Sequence, residues 1–134
     1  MRSIFVNLPV KDLDKSKAFF AALGFSFNPQ FTDEKAACMV ISDTSYAMLL
    51  TEPFFKTFIT GEISDAAATK EVLIALSAES KTEVAETLAK ALAAGAKPWK
   101  PAQDHGFMYG ISFADLDDHV WEVMWMDPSF IQKS

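Results

Sequence analysis

The 134-residue chain contains a single cysteine, Cys38. One thiol excludes an intrachain disulfide and any Cys-rich zinc knuckle. Long apolar runs are also missing. Those that occur, such as Val72 to Leu76, are far too short to cross a bilayer. The opening MRSIFVNLPVKD has neither an apolar leader core nor a small-residue cleavage site. Positive charge is scarce and scattered: twelve Lys and Arg stand against eighteen Asp and Glu, for a net charge of −6. Nucleic acid is held by clustered cations that neutralise phosphates, so a nucleic-acid partner is not expected, nor is an anionic membrane surface. No nucleophile elbow, P-loop or dinucleotide fingerprint occurs. These absences point to a reduced, soluble, cytoplasmic protein.

What the chain does have is apolar material. Half of its residues are hydrophobic, twelve are Phe, and only 22% are charged, which excludes disorder. This length suits one domain with a real core.

Along the chain, Ser3 to Val10 reads as a β-branched, apolar strand. Asp12 can accept from free backbone N–H groups and so start a helix. Leu13, Ser16, Phe20 and Leu23 follow at helical spacing, and Gly24 ends it. Residues 25–31, 36–41 and 46–51 read as three strands, the last two joined by the turn Ser42-Asp43-Thr44-Ser45. The order then repeats. Residues 71–78 form an apolar strand, and Ser80-Lys81-Thr82-Glu83 is a capping box. Val84, Leu88, Ala91 and Leu92 make an apolar stripe, and Gly95 stops the second helix. Residues 97–102, 108–113 and 119–126 complete three more strands. The expected organisation is therefore α+β in a single domain 1–134. Modules 1–53 and 70–128 are each βαβββ, and the connector 54–69 carries Phe54, Phe55, Phe58 and Ile59. That connector either packs or serves as a movable lid. A βαβββ unit leaves one sheet face bare. Two paired units would give a curved mixed sheet enclosing a cavity, with the helices outside.

Two stretches carry a family resemblance. LPVKDLDKSKAFFAALGF (8–25) resembles the strand, Val-x-Asp-Leu turn and Leu-Gly-Phe helix end of the vicinal-oxygen-chelate superfamily. This group includes glyoxalase I, bleomycin-resistance proteins and extradiol dioxygenases. DLDDHVWEVMWMDP (115–128) is similar to that family's Asp-Pro-Asp-Gly hairpin and the Glu-bearing strand after it. Leu116 and Asp118 replace the usual Pro and Gly, and Asp tolerates the left-handed conformation the hairpin needs. The resemblance implies the fold and a homodimer, with sites sometimes shared between chains. It implies much less about chemistry, because such scaffolds host unrelated activities.

Metal enzymes of this superfamily hold a divalent ion with ligands from four strands, and the resemblance maps those positions to Phe5, Leu49, Leu73 and Glu122. Three are carbon side chains, which cannot coordinate a cation. Asn7, two residues from Phe5, adds at most one weak oxygen on the same strand face. His119 lies three residues from Glu122 and so faces the other way; His105 lies in a loop. No metal and no cofactor are therefore expected. Glu122 remains the candidate catalytic or anchoring residue, since a carboxylate among apolar groups suits acid/base chemistry or a ligand's amine or hydroxyl. It equally suits a purely structural bond to Asn7, Tyr109 or backbone. Phe5, Asn7, Leu49, Leu73 and Met124 are the expected lining of a ligand pocket, Met124 being adaptable in shape. His105, beside Asp104, is either a proton carrier or a solvated hairpin tip. Tyr109 either packs or places its hydroxyl at the pocket mouth. Cys38, in a strand without an activating neighbour, reads as an inert buried thiol.

Three functions compete. The first is a binding protein for a small, largely apolar molecule, which the carbon side chains at the metal positions favour. The second is a metal-dependent lyase or dioxygenase, which requires other ligands than those mapped. The third is metal-free acid/base catalysis by Glu122.

Overall fold

The first strand forms where expected, since β-branched and apolar side chains favour an extended pleat: β1 runs Ile4–Val10. The computed structural model describes residues 1–130. The Asp12 carboxylate accepts from the Lys15 backbone N–H at 3.1 Å and starts α1, Leu13–Ala22. Leu13, Ser16, Phe19 and Phe20 are its buried face. Gly24 then takes φ +102°, a left-handed conformation open to glycine at little cost.

The next strand is shorter than its apolar run predicts. β2 covers only Ser26–Phe27. Pro29 has no backbone donor for a ladder, and the Asn28 side chain accepts from Gln30 N at 2.9 Å. Residues Pro29–Phe31 accordingly turn as 3-10 helix. β3 (Ala36–Val40) and β4 (Ser45–Thr51) follow, joined by the expected turn, in which Ile41 N donates to Ser45 O at 2.9 Å. The sheet order is β1-β4-β3-β2, with β1 and β4 parallel and the other pairs antiparallel. The connector is not structureless. Glu52–Lys56 forms a short helix, α2, with Pro53 in its first turn, where the missing N–H costs nothing. α2 packs on β1 and β4, and the Phe54 and Phe58 rings meet edge to face at 5.1 Å.

The second half rebuilds the same order. β5 is Leu73–Ser77 and α3 is Lys81–Ala93. Ser80 Oγ accepts from Glu83 N at 3.1 Å, and the Glu83 carboxylate accepts from Glu79 N at 2.6 Å. The capping box thus forms with its return bond one residue early. The expected strand 97–102 is interrupted. β6 is only Lys97–Pro98, and pairing resumes at β7, Gln103–Asp104. Pro98 and Pro101 lack ladder donors, and the backbone N–H of Lys100 is taken by Ser112 Oγ at 3.1 Å. β8 (Met108–Ala114) and β9 (Val120–Met126) complete a mixed sheet ordered β5-β9-β8-β6, with β7 also on β8. β5 and β9 are parallel.

The chain divides into two compact units, one from Met1 to Asp65 and one from Ala66 onward, so the boundary falls inside the expected connector. Each has its own core. In the first, Leu8, Val10, Phe19, Phe20, Ala37, Met39, Ala47 and Leu49 are buried. In the second, α3 packs on β8 and β9, where Val84, Ala91, Ile111, Phe113, Trp121 and Val123 are buried. The architecture is α+β with two open mixed sheets. No helix among the described residues is long and apolar enough to cross a membrane.

Candidate functional site

Side chains alternate across a strand, so register decides which residues can share a face. In the second unit Glu122 stands in the middle of β9, directly between Ala75 of β5 and Ser112 of β8. Leu73 and Ser77 flank Ala75 on the same face, and Gly110 lies on that face of β8, opposite Met124. Glu122 is half-buried on a floor of small residues, with the exposed Leu73 and the half-buried Met124 rising at its sides. Ser112 is buried and its hydroxyl oxygen is engaged by the Lys100 backbone. Among the described residues, no hydrogen bond is donated to the Glu122 carboxylate.

The opposite face of this sheet is structural. It carries Trp121, Val123 and Trp125 on β9, and Tyr109, Ile111 and Phe113 on β8. Tyr109 therefore does not accompany Glu122; it pairs with Trp125 and Asp104 on the other side. The expected hydroxyl beside the site is absent because 109 and 112 differ by an odd number of strand positions. Lys81, the first residue of α3, ties that side together. Its ammonium lies 3.5 Å from Asp104 Oδ1 and 5.5 Å from the Trp125 ring centre. Asp104 also accepts from Gly106 N at 2.9 Å, and that bond, reinforced by Lys81, holds its carboxyl below the ordinary range. The carboxylate beside His105 is thus committed to its own turn and to Lys81. His105 closes the β7–β8 hairpin through a 2.9 Å bond from its N–H to Met108 O, and its ring stacks on Phe107 at 6.2 Å.

In the first unit, Phe5 and Asn7 share a face with Tyr46 and Met48, their register partners on β4. The Phe5 and Tyr46 rings are stacked, 4.8 Å apart and 11° from parallel. Asn7 is exposed and its amide donates to Phe5 O at 3.3 Å. Leu49 is not on this face. It pairs with Leu8 and Ala37, and all three are buried on the opposite side of the sheet. Leu49 thus stands one residue out of phase with Phe5, and a one-residue slip inverts a strand's faces. The alternation Tyr46, Met48, Leu50 contains the face-sharing positions, but only the β1 register reveals which phase is which.

Among the described residues, neither unit by itself assembles the mapped ligand set. Phe5 and Leu73 offer carbon, Leu49 points away, and Met48 or Tyr46 in its place would supply a thioether or a phenol. Among the described residues no group of three or more His, Cys, Asp or Glu is placed to hold a metal.

Sequence reading passed over Asp115, the most constrained carboxylate of the second unit. It is buried, with Oδ1 accepting from Asp117 N and His119 N at 2.9 and 3.0 Å, and Oδ2 from the Trp121 indole N–H at 2.9 Å. Burial pushes its carboxyl up, against the opposing pull of His119 and these hydrogen bonds. Asp118, at φ +65°, turns the chain into β9 as the Asp-for-Gly replacement requires. This hairpin fixes Trp121 toward α3 and so presents Glu122 on the other face.

Comparison with known proteins bears on the fold. Residues 2–42 match a family model described as bleomycin resistance protein-like N-terminal. The chain is similar to the structure of hypothetical protein SA1046 from S. aureus, at 28% identity and TM-score 0.79, covering 93% of this chain and 94% of that one. It is also similar to a glyoxalase/bleomycin resistance protein/dioxygenase family enzyme from Burkholderia phytofirmans PsJN, at 18% identity, TM-score 0.76 and 91% and 96% coverage. A third is TioX from Micromonospora sp. ML1, at 20% identity, TM-score 0.65 and 94% and 99% coverage. No curated protein matches the chain.

Proposed function

We propose, on the premise that the chain is a member of the vicinal-oxygen-chelate superfamily, that it binds a small, largely apolar molecule without a metal. The sheet face of Glu122 is the binding surface. The observation that carries this reading is the company Glu122 keeps: its two register partners are Ala75 and Ser112, and Leu73, Gly110 and Met124 surround them. Apolar surface with one placed polar group is the usual composition of a small-molecule site. The carboxylate, which accepts no hydrogen bond from the described residues, anchors a ligand's amine or hydroxyl. Binding by a hydrogen-bonded charged group contributes about 1.5–3 kcal/mol, enough to select a ligand carrying such a donor over its hydrocarbon analogue.

Phe5, Leu49 and Leu73 supply no ligand atom for the metal of a lyase or dioxygenase. The functional protein is proposed to be a homodimer, which sedimentation equilibrium tests. The binding reading is tested by a thermal-shift screen of apolar amines and alcohols on wild type and Glu122→Gln. A ligand present at about a hundredfold its Kd stabilises by about 2.7 kcal/mol, a shift of several degrees. At least one such compound should stabilise wild type and lose that effect in the variant. A screen in which nothing stabilises wild type, or in which Glu122→Gln responds identically, rejects it.

A further inference from the structure

Three of the six methionines stand together on one patch of the second sheet. Met108 of β8 is the register partner of Met126 of β9, and Gly110 is that of Met124. Met108, Met124 and Met126 therefore share a face. The hydrogen-bond phase brings them close. Asp127 N donates to Phe107 O at 2.7 Å and Asp115 N donates to His119 O at 2.9 Å, so the odd-numbered partners of β8 and β9 are the hydrogen-bonded pairs. Met108 and Met126 are thus a non-hydrogen-bonded pair, the kind with Cα atoms about 4.5 Å apart and side chains nearest each other. Met124 is diagonal to Met108, a separation of about 7–8 Å that long side chains span. Gly110 puts no side chain between them: Met108 Sδ and Met124 Cβ lie 3.5 and 3.7 Å from where its Cβ would be. None of the three belongs to the core. Met108 and Met124 are half-buried and Met126 is 38% exposed, whereas Met39 of the first unit is fully buried.

We propose that Met108, Met124 and Met126 form a three-thioether site for a soft monovalent cation, Cu(I) being the physiological ion of that class. Thioether sulfur is neutral and polarisable, a ligand type that selects Cu(I) over hard divalent ions. These donors are not the strand positions mapped for a divalent ion, and they lie within one unit. Glu122, two residues before Met124 on the same face, places a negative charge beside the cation. The small molecule anchored at Glu122 needs no metal, and the cation needs no small molecule. Met124 borders both places, but Met108 and Met126 take no part in the Glu122 surface, so the two readings fail separately.

The test is titration of the full chain with Ag(I), a redox-inert stand-in for Cu(I), in chloride-free buffer, followed by NMR of methionine ε-methyl groups labelled with carbon-13. The signals of Met108, Met124 and Met126 should shift together and saturate at one equivalent, while those of Met1, Met39 and Met48 stay in place. Cu(I), kept reduced without oxygen, should displace Ag(I) from the same three. Met108→Leu and Met126→Leu keep size and apolarity, and circular dichroism should show the fold intact. Each should weaken Ag(I) binding at least about tenfold, since even a group behind a metal ligand is worth that much. Cys38→Ala, which removes the lone thiol, should bind as wild type does. So should His105→Gln, which removes the imidazole beside Met108, whose carbonyl accepts from His105 N. Shifts that do not saturate, or that spread equally to Met1 and Met48, overturn the proposal. So does unchanged affinity in both Leu variants, or binding that is lost in Cys38→Ala or His105→Gln. An amine that still stabilises the chain through Glu122 when Ag(I) fails to bind leaves the binding surface standing and removes only the cation site.

Discussion

At Asp115 a buried carboxylate accepts three hydrogen bonds, two from backbone and one from the Trp121 indole. Replacing it with Asn preserves shape but turns an NH2 group toward the indole N–H, so two donors face each other. Asp115→Asn should therefore cost about 1–3 kcal/mol of stability, the penalty for leaving a buried donor unsatisfied. In a Trp121→Phe background the same substitution should cost markedly less, because the opposing donor is gone; urea denaturation of the four proteins in a double-mutant cycle measures the difference. Equal costs in both backgrounds would show that the indole bond is not what Asp115 contributes. The pH dependence has a definite sign. Burial raises this carboxyl in the folded state, so folding takes up a proton between the unfolded and folded values. Its contribution to stability is fully present below the ordinary carboxylate value and is lost as pH rises through the raised one. The stability difference between wild type and Asp115→Asn should fall across that window and be flat above it. Cys38, 1% exposed and with its thiol raised by burial, should react with a disulfide reagent only when the chain opens. A rate that does not rise sharply with urea would contradict its burial.

Among the elements, α1 and α3 were legible because their signals are local, whereas the short α2 had no such signal. Asp12 and Ser80 cap α1 and α3 as their positions require, and Gly24 takes a left-handed conformation just past α1. Ser80→Ala should lower stability by about 0.5–2 kcal/mol in thermal unfolding, with the loss concentrated in unit two. The strands were legible only where both ladder and apolar pattern agree. Residues 28–31 and 99–102 carry the right hydrophobicity, but Pro29 and Pro101 remove donors, and side-chain bonds from Asn28 and Ser112 supply a turn instead. Faces were the least legible feature. Glu122, Leu73 and Met124 share a face because they lie on strands paired in a simple alternation, whereas Leu49 and Tyr109 each stand one residue out of phase. Phase depends on which residue of a distant strand sits opposite, and nothing local encodes that. The register yields a further prediction at Gly110. A Cβ there would meet Met108 Sδ at 3.5 Å and Met124 Cβ at 3.7 Å, ordinary contact distances. Gly110→Ala should fold normally yet narrow the floor beside Glu122, weakening any ligand stabilised through that carboxylate. A fold intact by circular dichroism with unaltered ligand shifts would place the ligand elsewhere.

At the scale of the whole molecule, the probes are distributed unevenly. All three tryptophans, Trp99, Trp121 and Trp125, belong to the second unit, and the lone thiol, Cys38, to the first. Tryptophan emission and thiol accessibility thus report on different units of one chain without any labelling. Each unit is a little over sixty residues long, a size at which only about 60% of the unfolded surface is buried and stability is marginal. A chain of 134 residues buries a larger fraction, which favours a single cooperative transition. The two signals should therefore change at the same urea concentration, and Leu49→Ala, a core truncation in unit one, should move both midpoints together. The truncation itself should cost about 2–5 kcal/mol, since Leu49 has no exposed surface and leaves a cavity. If the thiol becomes reactive at lower urea than the emission change, and Leu49→Ala moves only the thiol curve, the repeat is two folding bodies. A Glu122-dependent amine would then raise the tryptophan transition and leave the thiol curve where it was. Coincident curves would instead require that ligand to raise both midpoints equally, so the same pair of titrations decides how binding in one unit is felt by the other.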